Sequence, residues 1–261
     1  MADTAPLRLH WWKAVPNFGD AINPLIVSHM SGRAVKHAGP KRAELFAIGS
    51  LLQVVRRAFV EPREGARLSV WGTGLLHAVN SRGFLDHIDI ALVRGPITAA
   101  LLGLEHTQFG DAGLLIDQAL PFDGTRTDRI GIVPHHTLVD DPELLAFVAS
   151  DPAYALIDPQ GDAASVCQQI AGCAHVFASS LHGLIVADAY GVANTWITPK
   201  GQSRLKYHDY AASVGRSDMA APMGLPDVPK APKSSAITYA DGIARCRAAL
   251  CASFPSHLRA A

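Results

Sequence analysis

Short apolar runs of strand length alternate with helix-patterned segments along most of this chain. That alternation points to parallel strands joined by helical crossovers, because a parallel pair cannot be closed by a hairpin. Strands are expected at residues 7–12, 45–48, Leu68–Trp71, 88–93, Ile130–Val133, 154–157, His175–Ala178 and 195–197. Helices are expected at residues 21–30, Pro96–Leu102, 141–150, Ala163–Ala171 and 181–190, with a terminal helix at 237–254. Residues 121–128 are rich in turn formers (Pro121, Asp123, Gly124, Thr125), so a boundary belongs there. The expected class is α/β: two Rossmann-like domains, residues 1–122 and 123–261, whose parallel sheets face a cleft. The terminal helix is expected to pack back on the first domain, and the proline-rich stretch 220–235 to form a surface loop.

With 261 residues, 49% of them apolar, the chain can bury cores of that size. Its 23 basic residues balance 23 acidic ones, so bulk charge gives no argument for nucleic acid or an anionic membrane. A local basic cleft stays open. No apolar stretch approaches the ~20 residues of a membrane span, and residues 1–12 lack the apolar core of a signal peptide. The four cysteines, Cys167, Cys173, Cys246 and Cys251, show no CxxC spacing. A reducing, cytoplasmic setting is the expectation, with peripheral attachment to membrane-bound machinery still open.

Ligands of open α/β sheets bind beyond the carboxyl ends of the strands, so polar residues there are the candidates. Arg94 ends one strand, with Gly95 to turn the chain and Pro96 to open a helix. A guanidinium beside a helix N-terminus suits a carboxylate or phosphate, and equally an interdomain salt bridge. His182 follows Ser179-Ser180-Leu181, where Ser180 can cap the next helix and leave the imidazole in its first turn. Asp20, in Asn17-Phe18-Gly19-Asp20, suits a helix cap at Ala21 or a base for a sugar hydroxyl. Asp111 sits at a similar junction, as a cap or turn residue. Gly72-Thr73-Gly74 lacks the third glycine of a dinucleotide loop, His77 standing in its place, but fits close approach of a ligand to the backbone. The side chains of His135 and His136 should diverge, so one of them, not both, is expected to face the cleft. No HExxH pair, GxxxxGK[ST] loop or GxSxG elbow occurs, and no metal site is expected. Lys200 and Lys206 follow the last strand, and either can reach a phosphate.

In their order, Asn17–Asp20, Ile48-Gly49-Ser50, Trp71–Gly74, Val93–Pro96, Gly110-Asp111, Gly131–His135 and Ser179–Gly183 resemble the polysaccharide pyruvyl transferase family. Lys206-Tyr207-His208-Asp209-Tyr210, with Ser213 and Gly215, is similar to its exopolysaccharide members, such as the succinoglycan pyruvyl transferases. The resemblance runs from about residue 10 to residue 215. It implies a fold like the two-domain GT-B glycosyltransferases and transfer of a pyruvyl group from phosphoenolpyruvate to a sugar of a polysaccharide or lipid-linked oligosaccharide. The product would be a cyclic ketal and phosphate, with no cofactor beyond the donor. It also implies donor binding by Arg94 and His182, His182 as the acid, and help from Lys206 or Lys200. Asn17, Gly72, Thr73, Gly74, His135 and Ser180 complete the expected substrate-binding set, with His182, Asp20 and Arg94 as catalytic residues. The family often has Asp-Pro where this chain has Asp111-Ala112, which weakens any special role for Asp111. A nucleotide-sugar glycosyltransferase and a non-catalytic sugar- or anion-binding subunit are the alternatives.

Overall fold

The computed structural model describes residues 5–231 and 236–260. The first sheet is parallel throughout and ordered β2-β1-β3-β4-β5. Its strands are β1 (Leu7–His10), β2 (Val35–His37), β3 (Leu45–Phe46), β4 (Leu68–Trp71) and β5 (Ile88–Leu92). Between them run α1 (Phe18–Ala21), α2 (Asn23–Ser31) and α3 (Leu52–Ala58), and α4 (Pro96–Leu102) and α5 (Ile116–Ala119) follow β5. The second sheet, also parallel, is ordered β7-β6-β8-β9: β6 (Ile130–Val133), β7 (Tyr154–Leu156), β8 (His175–Ala178) and β9 (Asn194–Trp196). Its helices are α6 (Pro142–Ala149), α7 (Ala163–Ala171) and α8 (Leu181–Ala189), and α9 (Leu205–Val214) and α10 (Ala240–Ser253) complete the chain.

Both sheets are Rossmann-like, and in both the strand order reverses beside the first strand. The reversals lie between β1 and β3 and between β6 and β8. Chain leaving two such strands diverges to opposite faces, which opens a crevice at their carboxyl ends. Burial on both faces explains the mostly apolar character of β4, β6 and β8, whose residues are all buried, Ser69 and His175 included. All nine residues of α8 are buried as well, so it lacks the polar stripe of a surface helix.

Several elements went unforeseen, among them α1, which starts inside a segment expected to be a loop, α5, β2, α3 and α9. β2 (Val-Lys-His) is a short, half-exposed edge strand with no apolar run to announce it. α3 has no side-chain cap at its start, and α9 has none either. α9 does end on Gly215 in the left-handed conformation, with Tyr207, Tyr210, Ala211 and Val214 buried at helical spacing. The proline-rich stretch is more ordered than a surface loop. Leu225–Lys230 forms a 3-10 turn that buries Val228, and Met223 bridges to Ile197. Residues 232–235 lie outside the described residues.

The two halves are tied at several points. Phe18 N donates to Pro159 O at 2.8 Å, and Ser203 Oγ to Leu76 O at 2.8 Å. At the other end Trp71 Nε1 donates to Leu250 O at 3.1 Å, and Phe254 meets the Trp71 ring edge-on at 4.9 Å. α10 thus packs against β4 of the first sheet. Among the described residues, no helix is long and apolar enough to cross a membrane.

Candidate functional site

A cavity of about 570 Å³ is lined by segments that follow β1, β3, β6 and β8, the strands at both reversals. Asn17 caps α1, its side chain accepting from Gly19 N at 3.1 Å. Asp20 therefore lies inside the first turn of α1 instead of capping a helix at Ala21, and its carboxylate is released to line the cavity. Asn23 holds this turn to the β3 loop, donating to Asp20 O and accepting from Ile48 N at 2.9 Å. From the second half, Ser180 caps α8 by accepting from Gly183 N at 3.3 Å. His182 follows in the first turn, as expected, and lines the cavity. A side chain on Gly19 would overlap the His182 ring, so the α1 turn can approach the imidazole only as glycine.

The titratable groups here are poised by burial. Asp20 is pushed up to about 7, chiefly by desolvation, with Lys206 pulling it down and Asp111 adding to the rise. Lys206 is brought down to about 8 by burial and the nearby Arg94 charge, while Asp20 holds it up. His182 falls to about 3 through burial, then Lys206 and Arg94. With no ligand bound it is a neutral imidazole. Its Nε2 is buried without a hydrogen-bond partner, 4.0 Å from Asp111 Oδ1, and Asp111 Oδ2 is also buried without one. Asp111 itself is raised to about 6 by desolvation, against the opposing pull of Arg94 and the Gly113 N–H. Its other role is local: Oδ1 accepts from Gly113 N at 2.9 Å and caps a 3-10 turn.

Arg94 is placed differently from expectation. Its side chain is 0% exposed and does not line the cavity. Nε donates to Asp209 Oδ2 at 3.0 Å, Nη1 to Ser50 Oγ at 3.0 Å and Nη2 to Leu75 O at 2.8 Å. The same Asp209 takes Thr98 N at 2.8 Å and Thr98 Oγ1 at 2.7 Å, at the N-terminus of α4. The structure thus shows the salt-bridge alternative for Arg94: α9, from the second half, sets a carboxylate of this chain against the guanidinium and the start of α4. Arg94 reaches the cavity through Ser50, which does line it. The Gly72-Thr73-Gly74 loop is likewise turned inward. Side chains at Gly72 and Gly74 would meet Ala112 and the Arg94 guanidinium, and Thr73 Oγ1 donates to Gly49 O at 2.7 Å. These glycines make room for the protein's own groups.

His135 and His136 do not diverge. Their rings lie 4.2 Å apart, and both line the cavity, because a 3-10 turn starting at His136 folds the chain back. Thr137 accepts or donates at His135 Nδ1, 2.9 Å away, and burial, then Lys206 and His136, push His135 down to about 3. Of the two lysines, Lys206 lines the cavity, whereas Lys200 pairs at the surface with Asp141 and Glu143, each at 2.8 Å. Among the described residues Lys206 makes no salt bridge within 4.0 Å; its Nζ lies 5.2 Å from the Tyr207 ring centroid. Asn17, Asp20, His135, Ser180, His182 and Lys206 are thus brought together, while Arg94, Gly72, Thr73 and Gly74 lie behind.

Arg56 and Arg57, in the last turn of α3, also line the cavity and were missed. The Arg56 Nε is buried and without a hydrogen-bond partner. Their signal was two adjacent arginines following the Ile48-Gly49-Ser50 motif, legible only once a helix is placed there.

Comparison with known proteins gives a coherent result. The model of the polysaccharide pyruvyl transferase family matches residues 8–201. The succinoglycan biosynthesis protein ExoV of Rhizobium meliloti (strain 1021) is 31% identical over 131 residues, 49% of this chain and 41% of that protein. The uncharacterized protein L143 of Acanthamoeba polyphaga mimivirus is 29% identical over 161 residues, 56% of this chain and 54% of that protein. The chain spans about half the length of these curated relatives.

Proposed function

The chain belongs to the polysaccharide pyruvyl transferase family, and on that premise we propose that it moves a pyruvyl group from phosphoenolpyruvate onto a saccharide, closing a cyclic ketal and releasing phosphate. One observation carries this reading. Among the described residues, a single cavity is lined by three cations that make no salt bridge, Lys206, Arg56 and Arg57, beside His182 and a carboxyl that titrates near neutrality, Asp20. Phosphoenolpyruvate is small and carries a carboxylate and a phosphate, which is the charge pattern those cations match. A cavity of about 570 Å³ leaves room for a sugar beside it. We place the reaction in a GT-B-like cleft between domains divided near residues 122–123, in the cytoplasm.

In this scheme Lys206 and Arg56 neutralise the donor. Arg94 is a positioning residue that holds Ser50 and the α4–α9 contact. His182, neutral in the empty site, gains a proton when the donor's negative charge offsets its desolvation. It then protonates the methylene carbon, leaving an oxocarbenium-like centre at the neighbouring carbon. A sugar hydroxyl adds there and its proton passes to Asp20. The phosphate then leaves with the electrons of its carbon–oxygen bond, a second hydroxyl takes its place, and the second proton leaves with phosphate. No metal enters these steps. Acid–base help of this kind contributes roughly 100- to 10,000-fold per group.

Asp20 must be ionised to accept a proton, and Lys206 must be charged to hold the donor. His182 must take up a proton that the free protein lacks near neutral pH, so kcat/KM is expected to level off below about 7, to fall above it and to fall more steeply above about 8. Asp20→Asn should remove the break near 7 from whatever activity remains. The reaction itself is tested by incubating the protein with phosphoenolpyruvate and a panel of oligosaccharide and lipid-linked acceptors. Released phosphate matched by acceptor that gains the mass of a pyruvate ketal supports the assignment. Phosphate without a mass change, or no phosphate with any acceptor, rejects it.

A further inference from the structure

A second cavity, about 660 Å³, adjoins the first and shares Trp12, Val54 and Arg57 with it. Its other walls come from the loop after β1 and the turn after β2. Two features set it apart from ordinary surface. Trp12 is 47% exposed, an unusual position for a large apolar ring. Its neighbour Trp11 is fixed, edge-on to His37 at 4.7 Å, with Lys13 Nζ 5.6 Å from its ring centroid. The second feature is charge. Lys13, Lys41, Arg42 and Arg57 all line the cavity, and among the described residues no carboxylate does. Nor do Lys13, Lys41 or Arg42 take part in any salt bridge among the described residues. Surface cations usually mix with acids on a neutral protein such as this one, with 23 of each sign.

An indole face with solvent access suits the C–H face of a pyranose ring, and clustered cations suit an anionic substituent on it. We infer that this cavity is the acceptor subsite and that its occupant is an acidic saccharide, one sugar stacked on Trp12 and its anionic group among Lys13, Lys41 and Arg42. The inference rests on the transferase reading, since the shared wall is what would deliver the next hydroxyl to the donor. Carboxylate and phosphate are the two sources of that charge.

Three probes decide it by titration calorimetry at fixed salt: a neutral disaccharide, a uronic-acid disaccharide and a short-chain lipid-linked sugar diphosphate. One or both acidic probes should bind at least about 10-fold tighter than the neutral one, and the preferred probe names the source. Trp12→Ala should weaken that probe about 10-fold, Trp12→Phe less, and Lys41→Glu with Arg42→Glu about 10-fold or more. Equal affinity for neutral and acidic probes, no binding of any, or variants that bind as the wild type does would overturn the proposal. Phosphoenolpyruvate binding is measured in parallel. Acidic probes that bind to a protein with no affinity for phosphoenolpyruvate would uphold the subsite and reject the reaction.

Discussion

Asp20→Asn should all but abolish transfer, by about 1,000-fold, while making the protein more stable. The stability gain follows from the position of the carboxyl in the folded chain. Its ordinary value is 3.8, and burial raises it to about 7. Between those two values the folded protein keeps a proton that the unfolded chain has released, so stability falls as pH rises from about 4 to about 7 and then levels off. Asparagine carries no charge to desolvate and escapes that loss. The expected gain is therefore small at pH 4 and on the order of 4 kcal/mol at pH 8. Urea unfolding of both proteins at the two pH values measures it. A variant less stable than wild type at pH 8 would show that the carboxylate is held by compensating contacts, contrary to this account. Stability lost to keep a group poised is common where chemistry is done.

The second large effect concerns the buried pair behind the cavity. Arg94→Met leaves the Asp209 carboxylate, 0% exposed, with no guanidinium beside it. Removing one member of such a pair costs about 3–5 kcal/mol, because the remaining charge stays desolvated. Asp209→Asn should cost a similar amount, partly softened because an amide oxygen can still accept from Thr98 N. In the double variant no uncompensated charge remains, so the losses should be less than additive by about 2 kcal/mol. Donor affinity separates positioning from contact. Restoring the pocket through the double variant should leave phosphoenolpyruvate binding within about 10-fold of wild type, whereas a contacting arginine would give a deeper and unrecovered loss. Additive destabilisation would mean that the two side chains do not act as a pair.

Much of this fold is legible from residue pattern because burial on both sheet faces leaves mostly apolar runs, as at Val70 and Trp71 or Val176 and Phe177. The cap at Ser180 is legible for a local reason: it starts its helix where its side chain can accept from the first turn, whereas the cap expected at Asp20 falls to Asn17. What sequence position could not give is the occupant of a site. Arg94 and the start of α4 face a carboxylate of this chain, Asp209, 115 residues away, and only packing of α9 brings it there. The divergence expected of His135 and His136 assumed an extended backbone, and one 3-10 turn reverses it. Arg56 escaped notice because α3 has neither a capping side chain nor a terminal glycine to announce it.

We propose above all that Lys206, on α9, holds a small donor with two anionic groups against His182 and Asp20. Titrating phosphoenolpyruvate into the wild type and Lys206→Met at pH 7 tests it most directly, with a nucleoside diphosphate as the competing ligand. The account predicts saturable binding to the wild type, about 100-fold weaker in the variant, and no comparable binding of the nucleotide. Equal affinity in the two proteins, or a wild type that binds the nucleotide and ignores phosphoenolpyruvate, would contradict it.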